Sequence, residues 1–172
     1  TPRVARCTAS RGQGGAAAGG MALAAKDQGR DCRVYTLLGD GEIQEGEVWE
    51  AFMFAHHYKL DNLCVIIDNN GLQIDGPVDK VMSPYPIPDK LKAFGFAVKE
   101  IDGHDFDQIE AAFAEAKATK GVPFAIVMKT TKGKGVSYME NQAGWHGKAP
   151  NDEEYKIAMD ELTAQLAEVE AM

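Results

Sequence analysis

Cysteine, long apolar runs and excess positive charge are all scarce in this chain, and each shortage removes a class of function. The three cysteines, Cys7, Cys32 and Cys64, form no close pair among 172 residues. No disulfide framework is therefore expected, and reduced thiols in a cytoplasmic protein are the simplest expectation. No apolar stretch reaches the roughly 20 residues that span a bilayer, so no membrane partner is expected. Lysine and arginine number 18 against 26 acidic residues, a net charge of -8. That balance argues against a nucleic-acid partner, because contacts to phosphates dominate such affinity. The opening segment TPRVARCTASRGQGG has arginines but lacks the apolar core of a signal peptide. It also lacks an initiator methionine, so the chain reads as if cut on its N-terminal side.

What remains is an ordinary globular balance, 45% hydrophobic and 26% charged, in a length that suits one domain over residues 1–172. After a glycine-rich start, GMALAAK continues as a small-residue helix that Gly29 would end. RVYTLL (33–38) and LCVIID (63–68) are strand candidates, the second continuous rather than alternating, as buried parallel strands tend to be. Between them, residues 43–58 place Val48, Phe52 and Ala55 on one helical face, with Glu42, Glu45 and Glu47 around the first turn. A proline-bearing loop (83–89) leads into a short helix ending near Phe94, followed by a third strand, AVKEI (97–101). Asp105 or Asp107 could cap a helix over 108–119, residues 122–127 form a fourth strand, and Asn151 would cap an acidic amphipathic helix over 152–171. Alternating strands and helices predict an α/β fold, a doubly wound and mostly parallel sheet flanked by helices.

Residues 34–76 carry the chemistry. The first strand ends at Gly39-Asp40-Gly41 and the second at Asp68-Asn69-Asn70, so in a parallel sheet both clusters leave by the same edge. Asn70 follows Asp40 by thirty residues, a single β-α-β step that would set the two side chains close together. Magnesium takes oxygen ligands in octahedral array, with one or two protein side chains completed by phosphate oxygens. Asp40, Asn70 and a loop carbonyl near Leu72 would supply the protein share, and Gly41 could offer its N–H to a phosphate without a Cβ in the way.

GDGEIQEGEVWEA followed by DNNGLQIDG resembles the diphosphate-binding domain of thiamine-diphosphate enzymes, and within them transketolase of the bacterial split-subunit type. EIDGHD (100–105), KTTKGKGVSYME (129–140) and WHGKAPNDEEY (145–155) extend the resemblance over nearly the whole chain. It implies the thiamine-diphosphate-binding fold, with thiamine diphosphate as cofactor and Mg2+, or Ca2+ or Mn2+, as the metal. It further implies that Asp40 and Asn70 ligate the metal by side chain and Leu72 by its carbonyl. Gly41 would meet the diphosphate, Ile74 the cofactor rings, and His146 both the diphosphate and the reaction centre. Glu45 matches a family glutamate at the subunit contact; read as an isolated residue, it is a solvated charge at a helix start. Lys132 and Lys134 could approach an anion, though solvated lysines are the plainer expectation; His56, His57 and His104 read as structural.

The implied reaction moves a two-carbon ketol unit between sugar phosphates. It needs a second domain whose glutamate activates the cofactor, and no residue here takes that role. The expected partner is therefore a second chain carrying the pyrimidine-binding and C-terminal domains, in a homodimer or heterotetramer. GQGGAAAG (12–19) is a weak GxGxxA-like match with no strand before it, which excludes a Rossmann loop on context. It resembles instead the family loop beneath the thiazolium, with departures at Arg3, Ala5, Ala9 and Arg11 that bear on cofactor affinity. Two alternatives accompany this expectation. One is a related enzyme such as 1-deoxyxylulose-phosphate synthase or dihydroxyacetone synthase; the other is a non-catalytic scaffold of the same fold.

Overall fold

A four-stranded parallel sheet organises the computed structural model, which describes residues 12–171. In chain order the elements are α1 (Gln13–Asp27), β1 (Val34–Gly39), α2 (Gly46–His57), β2 (Leu63–Asn69), β3 (Leu72–Gln73), β4 (Gly76–Pro77), α3 (Val78–Val81), α4 (Ile87–Ala93), β5 (Ala97–Asp102), α5 (Phe106–Ala118), β6 (Phe124–Lys129) and α6 (Asp152–Glu170). The main sheet runs β1-β2-β6-β5 with every pair parallel, while β3 and β4 form a separate antiparallel hairpin. Gly39 lies opposite Asp68, and Asp68 opposite Met128, so β1, β2 and β6 end together at one edge.

The continuous apolar run of β2 is explained by helices on both faces. Leu63, Val65 and Ile67 point into one core with residues of α1, α2 and α4; Cys64 and Ile66 point into the other, beneath α5. Side chains alternate along a strand, so burying both faces demands apolar residues at every position. Cys64 is fully buried, and that burial pushes its thiol up to about 12, leaving it an inert packing group. Cys32 is also a free thiol, whereas Cys7 lies outside the described residues.

Several elements differ from the expectation. The first helix begins at Gln13, taking in glycines that read as loop in the sequence. Gly15 faces Leu38 and Gly19 faces Phe54, and their small size lets α1 lie close on β1 and α2, which outweighs their poor helix propensity. The expected helix over 43–58 is split. A 3-10 turn (Glu42–Gln44) comes first, Glu45 is extended at φ -68 and ψ 130, and α2 starts only at Gly46. The Trp49 indole N–H donates to the Ile43 carbonyl at 2.7 Å and fastens the turn to the helix. The β3–β4 hairpin and α3 are too short for any periodicity to reveal them. The other boundaries fall within a few residues. Asp105 caps α5, accepting the N–H groups of Asp107 and Gln108, and Asn151 and Glu154 form a reciprocal capping box on α6.

Candidate functional site

The carboxyl edge of β1 and β2 collects the polar residues. Asp40 follows β1 directly and is 1% exposed, one of the two buried polar side chains among the described residues. Its main-chain N–H donates to the Asp68 carbonyl at 3.1 Å, continuing the ladder by one step. Its Oδ1 accepts the Gly41 N–H at 2.8 Å and its Oδ2 the Gly71 N–H at 2.6 Å. Burial pushes the Asp40 carboxyl up, the Gly71 and Gly41 amides pull it back, and the nearby Asp68 charge adds to the upward push, which prevails.

The β2 end is held just as closely. Asp68 accepts the Asn70 side-chain amide at 3.0 Å and the Thr130 hydroxyl, while Asn70 Oδ1 accepts the Leu72 N–H at 3.0 Å. The middle residue of the triplet, Asn69, turns away and accepts the Tyr85 hydroxyl at 3.0 Å. The β3–β4 hairpin folds over this edge. A Cβ at residue 41 would stand 2.9 Å from Gln73 Cβ, so the glycine is required by the hairpin's approach. Gly41 therefore has a packing role that its place in the sequence does not show, and its N–H already bonds the Asp40 carboxylate.

A cleft of about 310 Å³ opens at this edge. Asp40, Gly41, Glu45, Asn70, Leu72, Ile74 and His146 all line it, so the structure brings these seven sequence-predicted residues together. Ile74 is 69% exposed at the mouth, where an apolar ligand surface could cover it. His146 and Lys132 arrive from the long loop after β6, and Lys132 also lines an adjoining cavity of about 430 Å³ with His104 and Thr130. Lys132 thus faces the site, whereas Lys134 lines neither cavity. His104 bonds the turn, its Nε2 accepting the Thr131 N–H at 2.8 Å. A larger apolar cavity of about 640 Å³ lies between α2 and α4, beside His56 and His57, and is lined by none of these site residues.

Two contributors escape sequence reasoning. In the sequence Glu42 is a helix-dipole charge, but its carboxylate accepts the Gly12 N–H and the Gly39 N–H, both at 3.1 Å, tying the start of α1 to the end of β1. Gln73 buries its Oε1 with no hydrogen-bond partner. No spacing rule marks either residue, since each acts through a backbone that the fold brings alongside.

Among the described residues no three His, Cys, Asp or Glu side chains converge on a metal position. The available donors are one carboxylate, one amide oxygen and main-chain carbonyls, a hard, oxygen-only set. Each carboxylate oxygen has two lone pairs, so Asp40 retains acceptor capacity beyond its two N–H bonds, and Asn70 Oδ1 retains one lone pair. Both side chains therefore keep an oxygen lone pair for a hard cation with their clasps intact. Asp40, Glu42, Glu45, Asp68 and Asp75 line the cleft against a single lysine, Lys132. A bare diphosphate would be repelled there, and a divalent cation would reverse the balance.

Arg3, Ala5, Ala9 and Arg11 lie outside the described residues. Among the described residues no helix is long and apolar enough to cross a membrane.

Residues 1–168 match the family model described as "Transketolase, thiamine diphosphate binding domain". The chain is 41% identical over 169 residues to one subunit of the apulose-4-phosphate transketolase of Phocaeicola vulgatus, covering 98% of this chain and 60% of that protein. It is 43% identical over 160 residues to a 6-deoxy-6-sulfo-D-fructose transketolase subunit of a Clostridium species, covering 93% and 58% respectively. The chain thus spans about three fifths of the length of these relatives. The crystal structure of transketolase from Campylobacter jejuni superposes with a TM-score of 0.84 at 36% identity, covering 89% of this chain and 25% of that one.

Proposed function

The chain belongs to the thiamine-diphosphate-binding domain family of transketolases, and on that premise we propose that it is the diphosphate- and metal-holding half of a ketol-transferring enzyme. The observation that carries this proposal is the convergence of Asp40, Asn70, Leu72 and His146 on one cleft whose charge calls for a divalent cation. Asp40 and Asn70 hold Mg2+, or Ca2+ or Mn2+, through side-chain oxygens, and Leu72 adds its carbonyl. Gly41, His146 and Lys132 face the diphosphate, and Ile74 packs against the cofactor rings. Thiamine diphosphate supplies the carbanion-stabilising chemistry when bound, and the protein's part is orientation and electrostatics.

Each residue's contribution follows from its setting. Asp40 is pre-positioned by two N–H bonds from opposite sides, so little reorganisation accompanies metal binding. His146 sits on an exposed turn at the cleft mouth, where its imidazole can donate to a phosphate oxygen or move a proton near the reacting carbon. Glu45, exposed at the start of α2, faces outward where a partner protein would contact the site.

The substrates are sugar phosphates, in keeping with the name of the apulose-4-phosphate relative though not with that of the 6-deoxy-6-sulfo-D-fructose one, and the compartment is the cytoplasm. Both relatives are named as subunits. The partner is a second chain bearing the pyrimidine-binding and C-terminal domains, joined in a dimer or heterotetramer. The test is ketol transfer between pentose phosphates, measured for the purified chain and for the chain co-produced with such a partner. Transfer should appear only in the combined preparation. Turnover by the chain alone, or none in the combination, would contradict the assignment.

A further inference from the structure

Asp68 stands two residues before Asn70 and takes no part in holding the cation or the diphosphate in the reading above. It is half-buried in the middle of the sheet edge, opposite Gly39 of β1 and Met128 of β6. Its two side-chain oxygens have different partners. Oδ2 accepts the Asn70 carboxamide Nδ2–H at 3.0 Å, and Oδ1 accepts the Thr130 hydroxyl. Thr130 directly follows β6, where its main-chain N–H donates to the Asn69 carbonyl at 3.3 Å.

A carboxamide is almost symmetric in shape but not in chemistry, since one end accepts and the other donates. Only Oδ1 can serve a cation. A half-turn about the last side-chain bond would present Nδ2 and its hydrogens instead. Both ends are specified here. The Leu72 N–H donates to Oδ1 at 3.0 Å, and the Asp68 carboxylate accepts from Nδ2. The turned amide would set two donors against each other at Leu72 and two acceptors at Asp68. The Leu72 N–H belongs to the main chain, so Asp68 is the side chain that makes the choice. Thr130 in turn holds the carboxylate by its other oxygen.

We propose that Asp68, held by Thr130, is a positioning residue that locks the Asn70 carboxamide with its oxygen toward the divalent cation. The proposal rests on the reading of Asn70 as a metal-holding residue. Partners that orient a ligating group in this way are worth about 10–100-fold in metal affinity. The same carboxylate links the metal position to the loop that brings Lys132 and His146 to the cleft, because Thr130 begins that loop.

A double-mutant cycle on the intact chain tests this, with thiamine diphosphate titrated calorimetrically in Mg2+. Asp68→Ala should weaken binding at least about tenfold when residue 70 is the native asparagine. In the Asn70→Asp background the same replacement should cost less than about threefold or strengthen binding, because the two oxygens of a carboxylate are equivalent and need no choosing. Equal losses in both backgrounds would mean that Asp68 acts through its own charge or as a ligand, and would overturn the proposal. Undiminished affinity in Asp68→Ala would overturn it too. A second measurement needs neither ligand nor variant. By NMR, the side-chain amide protons of Asn70 should exchange with water more slowly than those of the exposed Asn141. Exchange as fast as that of Asn141 would overturn the proposal even if Asp68→Ala does not fold. Wild type that binds nothing in Mg2+ would overturn the metal-holding reading and the proposal with it, whereas equal losses from a wild type that binds would overturn the positioning role alone.

Discussion

The Asp40 carboxylate accepts the Gly71 N–H at 2.6 Å, which clasps the end of β1 to the turn immediately after Asn70. With Gly41 on its other oxygen, Asp40 is held from both sides before any ligand arrives. The clasp explains how a carboxylate that burial alone would disfavour keeps its place at a sheet edge.

Gly41→Ala should destabilise the domain. The new Cβ would meet Gln73 Cβ at 2.9 Å, a contact that only a shift of the hairpin relieves. Overpacking of this kind costs about 1–3 kcal/mol. Gly46→Ala is the control, since open space surrounds that position. Urea unfolding should show a lower midpoint for the first variant and an unchanged or slightly higher one for the second.

Asp61 predicts an acid-side dependence of stability. Burial pushes its carboxyl up, but the Gly121 N–H and the Lys26 ammonium outweigh that and hold it below the ordinary carboxylate range. A depressed folded-state pKa contributes stability that is complete above the unfolded value of about 3.9 and is lost as pH falls through the folded one. Wild type should therefore exceed Asp61→Asn in melting temperature at about pH 6, and the gap should narrow as pH falls below the unfolded value of about 3.9. A gap that is constant over this range would show that Asp61 acts by shape alone.

Asn151→Ala removes one half of the capping box on α6, in which Asn151 and Glu154 exchange bonds of 2.8 Å. Loss of such a cap costs about 0.5–2 kcal/mol. Because α6 buries little, the loss should appear as faster amide exchange in its first turns, with the main sheet unaffected.

The sheet is legible in the sequence because both its faces are buried, which stamps continuous apolar runs on β2 and β6. The site is legible because Asp40 and Asn70 end adjacent strands, a placement that thirty residues of β-α-β spacing already implies. What escapes depends on contacts between segments distant in sequence. The glycines of α1 look like loop until β1 and α2 are seen to need close approach, and Gln73 looks solvated until the hairpin presses it on Gly41. Glu42 looks as though it serves its own helix because the Gly12 amide that it accepts lies thirty residues upstream.

The most direct test of the central claim is calorimetric titration of the chain with thiamine diphosphate in Mg2+ and, separately, in EDTA. The five-carboxylate cleft predicts heat of binding with Mg2+ and none in EDTA. Asp40→Ala should bind under neither condition while keeping its circular dichroism spectrum. Equal heats with and without the metal, or unchanged affinity in Asp40→Ala, would contradict the account.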